Sequence, residues 1–139
     1  MIKRQDAQRG QAIGEFALII PLLFLMIVAL LDFGRMIYIN NALSEGAREG
    51  ARWGAVQGRA STTAGLSSVA AETRTRMTAV PNPQVAVICD RLITTTSTCS
   101  TGDIIEVTAS SVVAPMTPII GQFIGPVTLS ATAKMSIHQ

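Results

Sequence analysis

Sixteen consecutive residues, Phe16 to Leu31, read FALIIPLLFLMIVALL without a charge, and Glu15 and Asp32 close the run on either side. As a helix rising 1.5 Å per residue the run spans about 24 Å, a little short of a ~30 Å hydrocarbon core. Ala12, Ile13 and Gly14 lengthen it only by drawing Glu15 toward the membrane. A chain of 139 residues that commits these side chains to a membrane keeps enough for one small extramembrane core. Composition agrees, since 48% of the residues are hydrophobic and only 14% are charged, which is little charge for a soluble domain. A net charge of +2, with no run of Lys or Arg and 4% aromatic residues, leaves no surface for a nucleic-acid partner.

The flanks set the expected orientation. Residues 1–10 carry Lys3, Arg4 and Arg9 against Asp6, and the positive-inside bias holds such a leader in the cytoplasm. Everything from Asp32 onward is then exported to the oxidising side. A cleavable secretory signal also begins with a basic segment and an apolar run. This run is longer than the usual signal core, however, and Leu31-Asp32-Phe33-Gly34 lacks the small-x-small site of signal peptidase. Pro21 removes one backbone donor inside the run, so a kink or a melted turn is expected there. An ionised carboxylate at the centre of a membrane helix costs about 2.5–3.5 kcal/mol, and less near the interface. Glu15 alone therefore reads equally as a tolerated interfacial residue or as a functional one.

Its surroundings add to it. In Arg9-Gly10-Gln11-Ala12-Ile13-Gly14-Glu15-Phe16 a glycine precedes, by five residues, a carboxylate that opens an apolar helix. This resembles the processing site of type IV pilins, and most closely the Flp and TadE type, in which an aromatic residue such as Phe16 follows the glutamate. Asp32-Phe33-Gly34-Arg35, Ala47-Arg48-Glu49-Gly50-Ala51-Arg52 and Thr117-Pro118-Ile119-Ile120-Gly121 also look similar to TadE-like proteins of the tight adherence (Tad) pilus system. The resemblance is weakest between residues 59 and 100. It implies a minor pilin or pseudopilin of the bacterial inner membrane, cut by a prepilin peptidase between Gly10 and Gln11. Its further partners would be other pilin subunits and the pilus assembly platform. Cleavage would leave an ammonium on Gln11, and opposite charges in a low-dielectric setting attract, so Glu15 is the candidate assembly charge.

No proline lies between Asp32 and Val56, so the anchor is expected to continue as a stalk, giving one helix over residues 11–58. Gly46, Gly50, Gly54 and Gly58 recur every four residues along one ridge, with Ala47, Ala51 and Ala55 beside them. Each interior glycine costs a helix about 1 kcal/mol against alanine, which calls for a packing reason. Two occupants of the ridge stay open, the chain's own sheet and a partner helix that approaches closely. Glu45 with Arg48, Glu49 with Arg52, and Asp32 with Arg35 stand three apart, the spacing of helix-surface ion pairs. Tyr38 and Trp53 read as packing residues.

Residues 59–83 are expected to hold a second helix and a linker, with Leu66, Val69, Ala70 and Met77 on its apolar side, ended by Pro81 and Pro83. Residues 84–139 read as a small antiparallel β domain. Val85, Val87 and Cys89 alternate with Gln84, Ala86 and Ile88 in the manner of a central strand. A second strand turns Ile105, Val107, Ala109 and Val113 one way, and a third does so with Val127, Leu129, Ala131, Ala133, Met135 and Ile137. Between these two, Thr117 suits a helix cap and Pro118 the first helical position, giving a short helix that carries Ile119, Ile120 and Phe123. These three close the core or meet a partner.

Cys89 and Cys99 are the two cysteines, both on the exported side, and a disulfide between them would contribute roughly 3 kcal/mol. With one histidine, His138, in the tail, no metal set, cofactor motif or nucleophile–base pair is legible. The expected architecture is α+β, a transmembrane helix continuing into a stalk and packed on a small antiparallel sheet, pilin-like in outline. A structural subunit is expected rather than an enzyme. The competing reading is a permanently membrane-anchored extracytoplasmic binding module, which needs neither the Gly10 site nor a laterally interacting helix.

Overall fold

The computed structural model describes residues 3–56, 63–91, 94–96, 99–100, 102–117, 121–122 and 124–137. Gly58, Pro118, Ile119, Ile120, Phe123 and His138, each given a role above, lie outside the described residues. The first element, α1, is a single helix over Lys3–Val56, 54 residues and therefore about 80 Å long. It runs through Pro21 without a melted turn. A proline ring fixes φ near −65°, which is itself helical, so the backbone bond it forgoes does not end a helix supported on both sides.

Beyond the apolar run, α1 buries a stripe at helical spacing that includes Ile39, Leu43, Ala47, Ala51 and Ala55. The second helix, α2, spans Thr63–Arg76 and buries Leu66, Val69, Ala70 and Thr73, with Met77 just past its end. Thr73 satisfies its buried hydroxyl by donating to the Val69 carbonyl at 2.7 Å. A turn through Val80 follows, in which Asn82 takes a left-handed φ of 45° between the two prolines. Asparagine tolerates that region better than most residues.

Four strands complete the chain: β1 (Gln84–Arg91), the short β2 (Thr94–Thr96), β3 (Ile104–Val113) and β4 (Val127–Ser136). They form one antiparallel sheet in the order β2-β1-β3-β4. Register runs from Gln84 opposite Ser110 to Asp90 opposite Ile104, and from Ile104 opposite Ser136 to Val113 opposite Val127. This pairing turns Val85, Val87 and Cys89, Ile105, Val107 and Ala109, and Ala131, Ala133 and Met135 toward the helices. α1 lies over β3 and β4, and α2 over β1, so the fold has two layers and the far face of the sheet meets solvent.

β1 is a central strand, as its mostly apolar pattern suggests. It has strands on both sides, yet helices cover only one of its faces, and Ala86 and Ile88 on the other are exposed. In the β3–β4 connection two backbone bonds of helical spacing are formed: the Gly121 amide donates to the Thr117 carbonyl at 2.9 Å and the Gly125 amide to the Gly121 carbonyl at 3.0 Å. Gly125, with φ of 70°, ends it in a conformation that suits glycine.

Candidate functional site

Two features of α1 distinguish it from the core helix of a soluble domain. The first is its bare N-terminal half. Phe16, Leu18, Leu22, Phe24, Leu30 and Leu31 are each more than 60% exposed, and the most apolar window of the helix, with mean hydropathy 2.7, is 6% buried within the chain. A helix of this length and composition fits a single-pass membrane span, where lipid supplies the cover that the chain does not. Gly10 and Gln11 sit within the continuous helix. Gln11 donates through Nε2 to Glu15 Oε1 at 3.4 Å, which places the two residues of the expected processing and assembly sites one turn apart on one face. Phe16, next in sequence, is 64% exposed.

The second feature is a junction where the apolar run ends. Asp32 is 7% exposed although it follows that bare run directly. Its Oδ2 accepts hydrogen bonds from the Thr117 hydroxyl at 2.6 Å and the Thr117 amide at 3.1 Å, and its Oδ1 accepts one from the Met116 amide at 3.0 Å. One turn on, Arg35 donates through Nη1 to the Ala114 carbonyl at 3.2 Å. The surface ion pair expected between Asp32 and Arg35 is therefore replaced by two attachments to one distant segment, residues 114–117. The Thr117 hydroxyl above all, and then the Met116 amide, hold the Asp32 carboxyl below its ordinary 3.8, and partial burial opposes them. Thr117 thus begins the turn of the β3–β4 connection through its carbonyl, while its side-chain hydroxyl donates to Asp32.

The small-residue ridge is filled from within the chain. A Cβ on Gly46 would overlap the Met77 side chain, one on Gly50 the Thr73 side chain, and one on Gly54 would come within 2.5 Å of Ile105 Cδ1 and 3.2 Å of Val69. The chain's own sheet supplies part of the cover through Ile105, but α2 supplies most of it. Sequence reading missed α2 as the occupant because the helix is rich in Ser and Thr and its apolar spacing is loose. The same two helices are joined at their rim by Glu49, which accepts from Arg52 at 3.2 Å and from Arg76 at 3.2 Å. The Arg52 hydrogen bond lowers the Glu49 carboxyl and raises the Arg52 guanidinium. No ion pair joins Glu45 to Arg48 among the described residues.

Residues 10–52 match the family model described as TadE-like protein. Over that segment the chain is TadE-like. No curated protein and no solved structure gives a significant match. The TadE-like segment opens at Gly10 and takes in Glu15, the bare span, Asp32, Arg35, Gly46 and Gly50. What Asp32, Arg35, Gly46 and Gly50 touch lies outside it, in the β3–β4 connection and in α2 with Met77 just past its end.

The sheet has one covalent staple. Cys89, at the buried end of β1, and Cys99, ahead of β3, form a disulfide across ten positions, and both are buried. Beside it the Asp103 carboxylate accepts from the Ser100 amide at 2.7 Å, and the Gly102 amide donates to the Ile137 carbonyl at 2.9 Å. These bonds close the end of the sheet away from the Asp32 junction. Among the described residues no group of His, Cys, Asp and Glu is placed to hold a metal ion.

Proposed function

We propose that the chain is a minor pilin or pseudopilin, a structural subunit of a Tad-type pilus, processed by prepilin peptidase between Gly10 and Gln11. The observation that carries this reading is a TadE-like match that opens at Gly10 and includes an apolar helix with no cover inside the chain. In this reading residues 1–10 are the cytoplasmic leader, 11–58 the span and stalk, 59–83 the second helix and its linker, and 84–139 the exported β domain. The subunit resides in the bacterial inner membrane until assembly, when its partners become other pilin subunits and the assembly platform in place of lipid.

The residues around Gly10 suit these steps. Cleavage of a helical substrate requires local unwinding, and glycine lowers that cost by about 1 kcal/mol relative to alanine. Helical side chains lean toward the N-terminus, so Glu15 reaches back toward residue 11. That lean already brings it to the Gln11 side chain. The ammonium created at Gln11 would add a charge at the same place, and Glu15 would pair with it or with that of a neighbouring subunit.

Intact-mass analysis of the protein recovered from its native membrane tests the processing step. A mature form beginning at Gln11 is expected, and a chain that keeps its leader would favour a permanent anchor. A Glu15→Ala variant should insert and be cut yet fail to enter the assembly; normal incorporation would remove Glu15 from the mechanism.

A further inference from the structure

The connection between β3 and β4 carries a chemical signature that the pilin reading leaves unused. From Val107 to Ala133 the sequence holds twenty-seven residues without a single Asp, Glu, Lys, Arg or His. The charge of the sheet is kept at its other end, where Lys134 pairs with Glu106 at 2.9 Å and Asp103 closes the turn. An uncharged loop in water is ordinarily polar and rich in turn residues, but this one includes Met116, Ile119, Ile120, Phe123 and Ile124. Of the described members, Met116 is 74% and Ile124 64% exposed.

Its height along α1 is fixed. Asp32 is the first residue past the uncharged run, and its carboxylate bonds the Met116 and Thr117 amides directly. Arg35, one turn further out, bonds the Ala114 carbonyl. The connection therefore lies alongside the first turn of helix beyond the span. On α1 itself Phe33, 61% exposed, occupies that turn, and Tyr38, 61% exposed, follows at about 7.5 Å further along the axis. The two charges at this level, Asp32 and Arg35, both bond inward to the connection.

The run of about 24 Å falls roughly 6 Å short of a ~30 Å hydrocarbon core, a mismatch that a bilayer resolves by thinning or by taking in flanking residues. Here the flanking turn is ready to be taken in, because its carboxylate is already supplied with donors and apolar side chains surround it.

We propose that the β3–β4 connection is a membrane-contacting collar, with Met116 and Ile124 inserted beside Phe33 into the outer-leaflet interface of a phospholipid bilayer. This rests on the reading that Phe16–Leu31 spans the membrane. Tyr38 then stands at headgroup level, as interfacial aromatics do. Asp32 acts as the fastening that holds the collar at the right depth, and the exported sheet stands on the membrane without a gap.

The test reads depth at single labelled sites in the full chain, reconstituted in vesicles of phosphatidylethanolamine and phosphatidylglycerol with the native disulfide left oxidised. Nitroxides are placed by Leu23→Cys in mid-span, Met116→Cys or Ile124→Cys in the collar, and Ala71→Cys on the exposed face of α2. Collision with oxygen is then compared with collision with a water-soluble nickel chelate. The expected result is that Leu23, Met116 and Ile124 favour oxygen while Ala71 favours the chelate. Collar sites that read like Ala71 while Leu23 reads as buried overturn the collar and leave the span standing. A Leu23 site that favours the chelate overturns both. Using Met116 and Ile124 separately guards against a label that disturbs the Asp32 fastening, since Ile124 makes none of its bonds.

Discussion

The two halves of α1 share one backbone and face opposite problems. Up to Leu31 the helix presents Leu, Ile and Phe outward with nothing of its own chain against them. From Ile39 to Ala55 it presents a narrower stripe, mostly Ala and Gly, and every described residue of that stripe is buried against α2 or the sheet. Large side chains suit a surface that fluid lipid must cover, whereas small ones let a second backbone approach closely. Cover, more than helix propensity, separates the two regions. A change that is costly in one half should be nearly silent in the other.

The widest difference is expected for leucine truncation. Leu43 is fully buried, so Leu43→Ala should destabilise the packed helix–sheet fold by about 2–5 kcal/mol, while Leu23→Ala should leave it unchanged. Urea unfolding of the full chain in detergent micelles, followed through Trp53, checks both. Next comes the glycine pair. Gly50→Ala forces a methyl onto Thr73, where overpacking of about 1–3 kcal/mol outweighs the ~1 kcal/mol that alanine gains in a helix. At Gly34 a Cβ meets nothing within 4 Å, and Gly34→Ala should be neutral or slightly stabilising in the same unfolding assay.

The boundary between the halves should respond to pH. Asp32 has a folded-state value below 3.8, so the stability it contributes is complete above about that pH and is lost as pH falls through the lower, folded value. Acidification through that folded value should lower the protection factors of the Met116 and Thr117 amides, measured by hydrogen exchange, before those of β1. An Asp32→Asn variant should show quickened exchange at these amides already at pH 7. The smallest effect is expected at the rim, where the ion pairs of Glu49 are half-exposed and screened. Glu49→Gln should shift the thermal midpoint only slightly at low salt, and the shift should vanish in 0.5 M salt, about where screening shortens to a few ångströms.

Much of this was legible from residues alone, for local reasons. The uncharged run, the alternation of β3 and β4 and the pairing of the two cysteines each follow from short-range spacing or from arithmetic. The errors arose where a partner sits far away in sequence. Asp32 and Arg35 stand at ion-pair spacing, but a carboxylate offered two amides and a hydroxyl in fixed geometry takes those, and they lie 84 and 85 positions on. For the ridge, the sequence implied close packing without naming the partner, since Thr73 and Met77 do not announce a helix-packing face.

Because α1 has no loop between Leu31 and Ile39, the sheet cannot swivel about the span. Its compass bearing around the helix axis is set by residue count. One residue inserted between Arg35 and Ile39 would turn the sheet by about 100° and lift it by 1.5 Å, tearing the connection from Asp32 while leaving each layer intact. In any array of such helices packed side by side, the direction in which each subunit displays its sheet is thereby written into the length of one uninterrupted rod.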